Sequence, residues 1–201
     1  MQVCDFCIHD NLLSSDSPCN ECKHIGNGDS DMFVGKNEGG EEKKSRILDS
    51  GSRTAFSTGA VRDIQEGKGR CDLMPLDVIG DFMSDFVLNS IENFKESGDV
   101  MFLHNALHEF TAYEGIDEAT MFLEVAKHFE AGAVKYGEGN WQKGIPVKRY
   151  IDSAVRHYFK HIRCDIDEPH DRAFVWNIIC GIWTCEHKPE LNDYAKENAD
   201  A

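Results

Sequence analysis

The chain has 201 residues, 41% of them hydrophobic, which suits one compact domain with a small appendage. Lys and Arg total 21 against 36 Asp and Glu, a formal charge of −15, and a surface this acidic repels a polyanion and argues against general nucleic-acid binding. No apolar run reaches the length of a membrane span, and no basic stretch followed by an apolar region opens the chain, so neither a spanning helix nor a signal peptide is expected.

Four of the eight cysteines lie in the first 22 residues as Cys4-x2-Cys7 and Cys19-x2-Cys22. A two-residue gap lets two thiolates reach one tetrahedral zinc from a tight turn, and two such turns close the coordination sphere. Residues 1–25 are therefore expected to be a small zinc knuckle or ribbon with a structural Zn2+, with His9 and His24 as spare ligands. Cys71, Cys164, Cys180 and Cys185 are scattered, which favours a cytoplasmic location over a secreted disulfide protein.

Residues 26–54 are rich in Gly, Ser and charge with little apolar periodicity, so they are expected to form a flexible linker. Residues 55–75, AFSTGAVRDIQEGKGRCDLMP, read as an ordered loop too polar for a core element. A helical pattern then begins at residue 76 and runs to about 96, with Val78, Ile79, Phe82, Met83, Phe86, Val87, Ile91 and Phe94 at three- and four-residue steps. A weaker helix is expected at 99–113. A third, at 118–136, has Asp117 as N-cap, Leu123, Ala126, Phe129, Ala133 and Val134 as its apolar positions, and Gly137 and Gly139 as its stop. After the loop EGNWQKGIP a fourth helix covers 147–163, and after CDIDE a fifth covers 169–186, with Pro169 in its first turn. Residues 188–201 read as a tail. The main domain, 55–187, is accordingly expected to be an all-α helical bundle.

Three groups of polar residues carry candidate chemistry. On the third helix Glu124 and His128 share a face at i, i+4, with Glu130 beyond them. On the fourth, Asp152, Arg156 and Lys160 recur every four residues, flanked by Arg149 and Arg163, and His157 pairs with His161. Cations concentrated on one stripe of an acidic protein suit a triphosphate, since Arg presents a planar fork to phosphate oxygens. The third group, Asp165, Asp167, Glu168, His170 and Asp171, opens the fifth helix. It offers hard oxygen ligands of the kind Mg2+ or Mn2+ takes, although acids also cap a helix N-terminus. Asn177, two turns on among apolar neighbours, needs a partner or a task. In the early loop Arg62, Lys68 and Arg70 sit among Gly59, Gly67 and Gly69, and glycine lets backbone amides approach an anion.

The blocks STGAVRDIQEGKGRCDLMP (57–75), AVKYGEGNWQKGIP (133–146), RYIDSAVRH (149–157), and DEPH with WN (167–177) occur in that order. Together they resemble the phage family of dATP/dGTP diphosphohydrolases, distantly related to MazG-like all-α nucleotide pyrophosphohydrolases. The resemblance covers most of 55–186 and implies a MazG-like helical bundle that converts dATP and dGTP to the monophosphate and pyrophosphate in the host cytoplasm. MazG-like enzymes usually hold their metal with an ExxE pair on one helix and an ExxD pair on another. Here Glu124 and Glu130 stand on the first, and His170 and Ala173 on the second.

On that basis Glu124, Asp152, Asp165 and Asp167 are the expected Mg2+ (or Mn2+) ligands, with Glu124, Glu130, Asp152, His157, Asp165 and His170 as catalytic groups. Arg62, Lys68, Arg70, Lys135, Lys143, Arg156 and Lys160 are expected to hold phosphates. Tyr136, Asn140 and Trp141 would form the base pocket, with Trp141 stacking and Asn140 reading a base edge, and Asn177 would also face substrate. A homo-oligomer is compatible with the apolar pattern at 76–96. The rival reading is a non-catalytic adaptor that senses nucleotide and docks partners through its zinc module. Convergence of Glu124, Asp152 and Asp165 in space would separate the two.

Overall fold

A computed structural model describes residues 51–115 and 117–195. The cysteine quartet Cys4, Cys7, Cys19 and Cys22, and most of the expected linker, lie outside the described residues. The described part is mainly helical, and no helix in it is long and apolar enough to cross a membrane.

The chain enters as a short antiparallel hairpin, β1 (Arg53–Ala55) and β2 (Val61–Asp63), with Thr54 opposite Arg62. This hairpin replaces the expected loop, and β1 begins within the expected linker. Ala60 is fully buried, so the segment contributes to a core despite its polarity. A 3-10 turn at Cys71–Leu73 leads into six helices: α1 (Leu76–Met83), α2 (Phe86–Ser97), α3 (Met101–Glu114), α4 (Glu118–Tyr136), α5 (Val147–Ile162) and α6 (His170–His187).

The single helix expected over 76–96 is two. Ser84 takes a left-handed conformation at φ 55°, and the Asp85 side chain accepts the Leu88 N–H at 3.1 Å to cap α2. Asp favours an N-cap because its oxygen replaces the missing helical acceptor. The break also rotates the apolar stripe. Val78, Phe82 and Phe86 face solvent, while Leu76, Leu88, Ile91 and Phe94 are buried. Gly80 sits where α1 crosses α2; a Cβ there would lie 2.3 Å from Asn89 Oδ1.

Helix α4 has the expected N-cap, with Asp117 accepting the Thr120 N–H at 2.8 Å, and ends at Gly137, whose φ of 89° suits glycine. Its inward face differs from the expected one. Leu123 and Val134 are exposed, whereas Met121, Glu124, Val125 and His128 are buried. Helix α5 buries Val147, Tyr150, Ile151, Ala154, Val155 and Tyr158 in a regular stripe, and α6 packs on α5, α4 and α3. Being enclosed on several sides, α6 is buried around much of its circumference. The segment expected to be a tail is partly core. Tyr194 is buried with its ring 5.3 Å from that of Phe94, and Asn192 donates to the Gly98 carbonyl at 2.9 Å. One aromatic in a polar stretch has no periodicity to announce it.

Candidate active site

Between the hairpin, α4, α5 and the start of α6 lies a cleft of about 790 Å3, within the usual range for a small-molecule site. Among the expected site residues it is lined by Arg62, Lys68, Glu130, Tyr136, Asn140, Trp141, Asp152, Arg156, His157, Lys160 and Asn177.

Arg62 projects from β2 onto the faces of Tyr150 and Trp176, 4.9 and 5.8 Å from the ring centroids. Its Nη2 donates to Asn177 Oδ1, and the Asn177 amide in turn donates to the Ala173 carbonyl at 2.6 Å. Its Nη1 is shielded from solvent without a hydrogen-bond partner. Burial pulls the guanidinium pKa below its usual value, as expected when a cation loses water without gaining a carboxylate. Asn177 therefore has its task, which is to hold Arg62. Arg149, from α5, donates to Gln65 and, at 3.3 Å, to the Asp63 carbonyl, leaving its Nε unpartnered. Arg156 is paired with Asp152, yet its Nε is also unpartnered. Three guanidinium groups thus border one cleft with donor capacity to spare.

Other expected site residues are engaged elsewhere. The Asn140 side chain accepts the Val61 N–H and donates to the Val61 carbonyl, both at 2.9 Å. Its amide edge is thus used to seat the hairpin instead of being open to a base. Lys135 and Tyr136 both bind Asp63, at 2.9 and 2.8 Å; burial, followed by the Asp63 hydrogen bond, raises the tyrosine pKa. Arg70 pairs with Asp72 and is exposed, and Lys143 is exposed; neither lines the cleft. Trp141 stands edge-on to Phe129 and Trp183, 5.4 and 5.0 Å away.

Of the four expected Mg2+ ligands only Asp165 and Asp167 come together, beside His170, and neither Glu124 nor Asp152 joins them. Glu124 is held by Lys127 at 2.6 Å and Arg172 at 3.0 Å. Asp152, almost fully buried, accepts the Cys71 N–H at 2.8 Å and pairs with Arg156. Asp165 pairs with Arg163, which lowers its pKa. Asp167 accepts from Lys160 at 2.9 Å, and this contact leads the causes that lower its pKa. A carboxylate with a cation already bound is a poor fit to a hard-metal cage, so the expected quartet does not form one.

The donor atoms that do converge are those of His157, Glu168 and His170, and of Asp165, Asp167 and His170, each set lying within 4.8 Å. His157 Nδ1 and His170 Nδ1 are 2.9 Å apart, and His170 Nε2 is 2.7 Å from Asp167 Oδ1. Burial, then the facing His170, pushes the His157 pKa well down. Nearby His128, also on the cleft wall, is lowered to about 4 by burial and then by Arg172 and Arg62. Both rings are thus held neutral near pH 7.

Sequence reasoning missed Asp63, which ties Lys135 and Tyr136 to the hairpin, and it named Arg149 only as a flank of the α5 cation stripe, without a place on the cleft wall. Arg149 shares the three- and four-residue spacing of Asp152 and Arg156, a signal that could have placed it there. Asp63 had no comparable signal.

A helical domain with a cation-lined cleft beside an imidazole–carboxylate group has the donors that a phosphorylated small molecule would need. Residues 111–194 match the family model described as dATP/dGTP diphosphohydrolase, N-terminal. That stretch, which holds α4, α5, α6 and their cleft residues, is what the chain shares with the dATP/dGTP diphosphohydrolase family. Comparison with curated proteins finds no match, and comparison with solved structures finds none.

Proposed function

We propose that the chain hydrolyses purine deoxynucleoside triphosphates, dATP and dGTP, to the monophosphate and pyrophosphate in a divalent-metal-dependent reaction of phage nucleotide metabolism. The carrying observation is Arg62, a guanidinium enclosed in the cleft with Nη1 unpartnered and no ion pair to a carboxylate among the described residues. Such a group is costly unless an anion completes it, and a phosphate oxygen does so with a charge-assisted bond. Arg149 and Arg156 offer further donors to the same anion, and Lys68 faces it from the loop after β2. The wall formed by Phe129, Trp141 and Trp176 suits a purine ring.

In this reading the triphosphate lies along the guanidinium groups, and water attacks the α-phosphorus. The bond from that phosphorus to the α–β bridging oxygen breaks, and pyrophosphate leaves as the anion that Arg62, Arg149 and Arg156 stabilise. A divalent cation supplies, when bound, charge neutralisation of the phosphate oxygens and a more acidic water. Asp152 fixes Arg156 and the start of the Cys71 turn. Asn140 and Asp63 hold the hairpin that carries Arg62.

We also read the bundle as distantly MazG-like, the cysteine quartet as a structural zinc site, and the host cytoplasm as the place of action. The adaptor reading draws on the failure of Glu124, Asp152 and Asp165 to converge. The deciding experiment is pyrophosphate and dNMP release from the four dNTPs and ATP with Mg2+, Mn2+ and Co2+. Release from dATP and dGTP is expected. No release from any nucleotide, by protein shown to be folded, overturns the hydrolase and favours the adaptor.

A further inference from the structure

We propose that His157, Glu168 and His170 form a two-imidazole, one-carboxylate site for a first-row transition-metal dication, and that Asp167 orients His170 instead of binding the ion. The inference deepens the hydrolase reading by naming the kind of metal, but its test does not depend on catalysis.

Three observations carry it. First, each carboxylate of the quartet expected to hold Mg2+ is paired with a cation among Lys127, Arg172, Arg156, Arg163 and Lys160, and Glu124 and Asp152 do not join Asp165 and Asp167, so the four do not build one hard-oxygen cage. Second, the donor atoms of His157, Glu168 and His170 lie within 4.8 Å of one another. The two Nδ1 atoms are 2.9 Å apart, close to the roughly 3.0 Å between two ligands set at a right angle, each about 2.1 Å from one ion. Third, His170 turns its other nitrogen, Nε2, to Asp167 Oδ1 at 2.7 Å, and Lys160 holds Asp167 from its other oxygen. A ligating histidine almost always donates its second ring N–H to such a carboxylate, which sets the tautomer that leaves Nδ1 free for metal. That is the tautomer required here.

Imidazole nitrogen selects transition metals over Mg2+, which keeps to oxygen ligands and water. His157 and Glu168 both line the cleft, so positions not taken by protein would face the phosphates of a bound nucleotide. His170, at 2% exposure, is the inner ligand.

The probe is Co2+, titrated without nucleotide into the full chain and into His157→Ala, Glu168→Gln and Asp167→Asn. Uptake is read by calorimetry and visible absorption. The N-terminal cysteines are common to all four proteins, so differences between them report the proposed site. His170 is too buried to replace safely; His157 and Glu168 are half-buried, and melts without metal check their folding. The wild type is expected to take up one Co2+ more than His157→Ala, and Glu168→Gln to weaken that uptake. Asp167→Asn should lower affinity about 10–100-fold. Equimolar Ni2+ should compete with Co2+ at this site and Mg2+ should not. Equal uptake by all four proteins would overturn the proposal and leave the His157–His170 contact as a hydrogen bond only. Competition by Mg2+ as strong as that by Ni2+ would overturn the choice of metal class. Failure of nucleotide hydrolysis with this uptake intact would count against the enzyme and not against the site.

Discussion

The helical body and the cleft side bury different kinds of groups. In the body, Leu88, Ile91, Phe94, Leu103, Phe110, Phe174 and Ile178 are fully enclosed, and Phe110 meets Phe174 with ring centroids 4.7 Å apart. In that body Glu114 of α3 and His161 of α5 meet at 3.0 Å. On the cleft side the apolar cluster is small, built on Ala60, Ile145, Tyr150 and Cys180. Around the cleft, Arg62 Nη1, Arg149 Nε, Arg156 Nε, His128 Nδ1 and Trp176 Nε1 are all shielded and unpartnered. Unpaired buried groups cost stability. All five are nitrogens and three are guanidinium donors, so an anionic acceptor is what this wall lacks, while the body supplies the stability that tolerates them.

The sharpest way to break this contrast is to cut into each side. Phe94→Ala removes a fully buried ring from the body and should cost about 3–5 kcal/mol of stability, read by urea unfolding, with little change in kcat/KM for the protein that remains folded. Arg62→Met keeps the side-chain stem against Tyr150 and Trp176 but removes the charge. Here kcat/KM for dATP should fall by about 10²–10³-fold. Stability should move by less than in the Phe94 variant, because losing an enclosed charge offsets the roughly 1–3 kcal/mol of leaving Asn177 Oδ1 unpaired. A severely unfolded Arg62 variant with intact specific activity would erase the distinction between the two sides.

The smallest expected effect is a pH dependence from the body. Burial lowers the His161 pKa, but the Glu114 hydrogen bond and charge outweigh it, so the folded value lies above the ordinary 6.5. A raised histidine contributes stability that is fully present below the unfolded value and is lost as pH rises through the folded one. The wild-type melting temperature should therefore fall over that window, and His161→Gln should flatten the fall. An unchanged slope would show that the Glu114–His161 pair does not supply it.

Most helices were legible because their signals are local. Asp117, Gly137 and Pro169 each mark an end through their own backbone chemistry. The break at Ser84–Asp85 was missed because apolar spacing continues across it while the helix axis turns. The inward face of α4 was misassigned for a different reason: Glu124 and His128 face inward to meet Arg172 and the cleft, and Leu123 and Val134 are left outside. Hydrophobic periodicity assumes an apolar partner, and here the partner is α6 with its own polar groups.

Local spacing and composition by themselves determined the helical class, the cation stripe on α5 and the Asp–Glu–His group before α6. Only the tertiary structure decided which of those groups meet. Asn140 and Asp63 became anchors of the hairpin, Asn177 the holder of Arg62, and the expected Mg2+ carboxylates became partners of nearby cations. Helix spacing places a side chain on a face, but the element opposite that face determines whether a charge finds a counter-charge, a backbone amide or an open cleft, and that element lies far away in the chain.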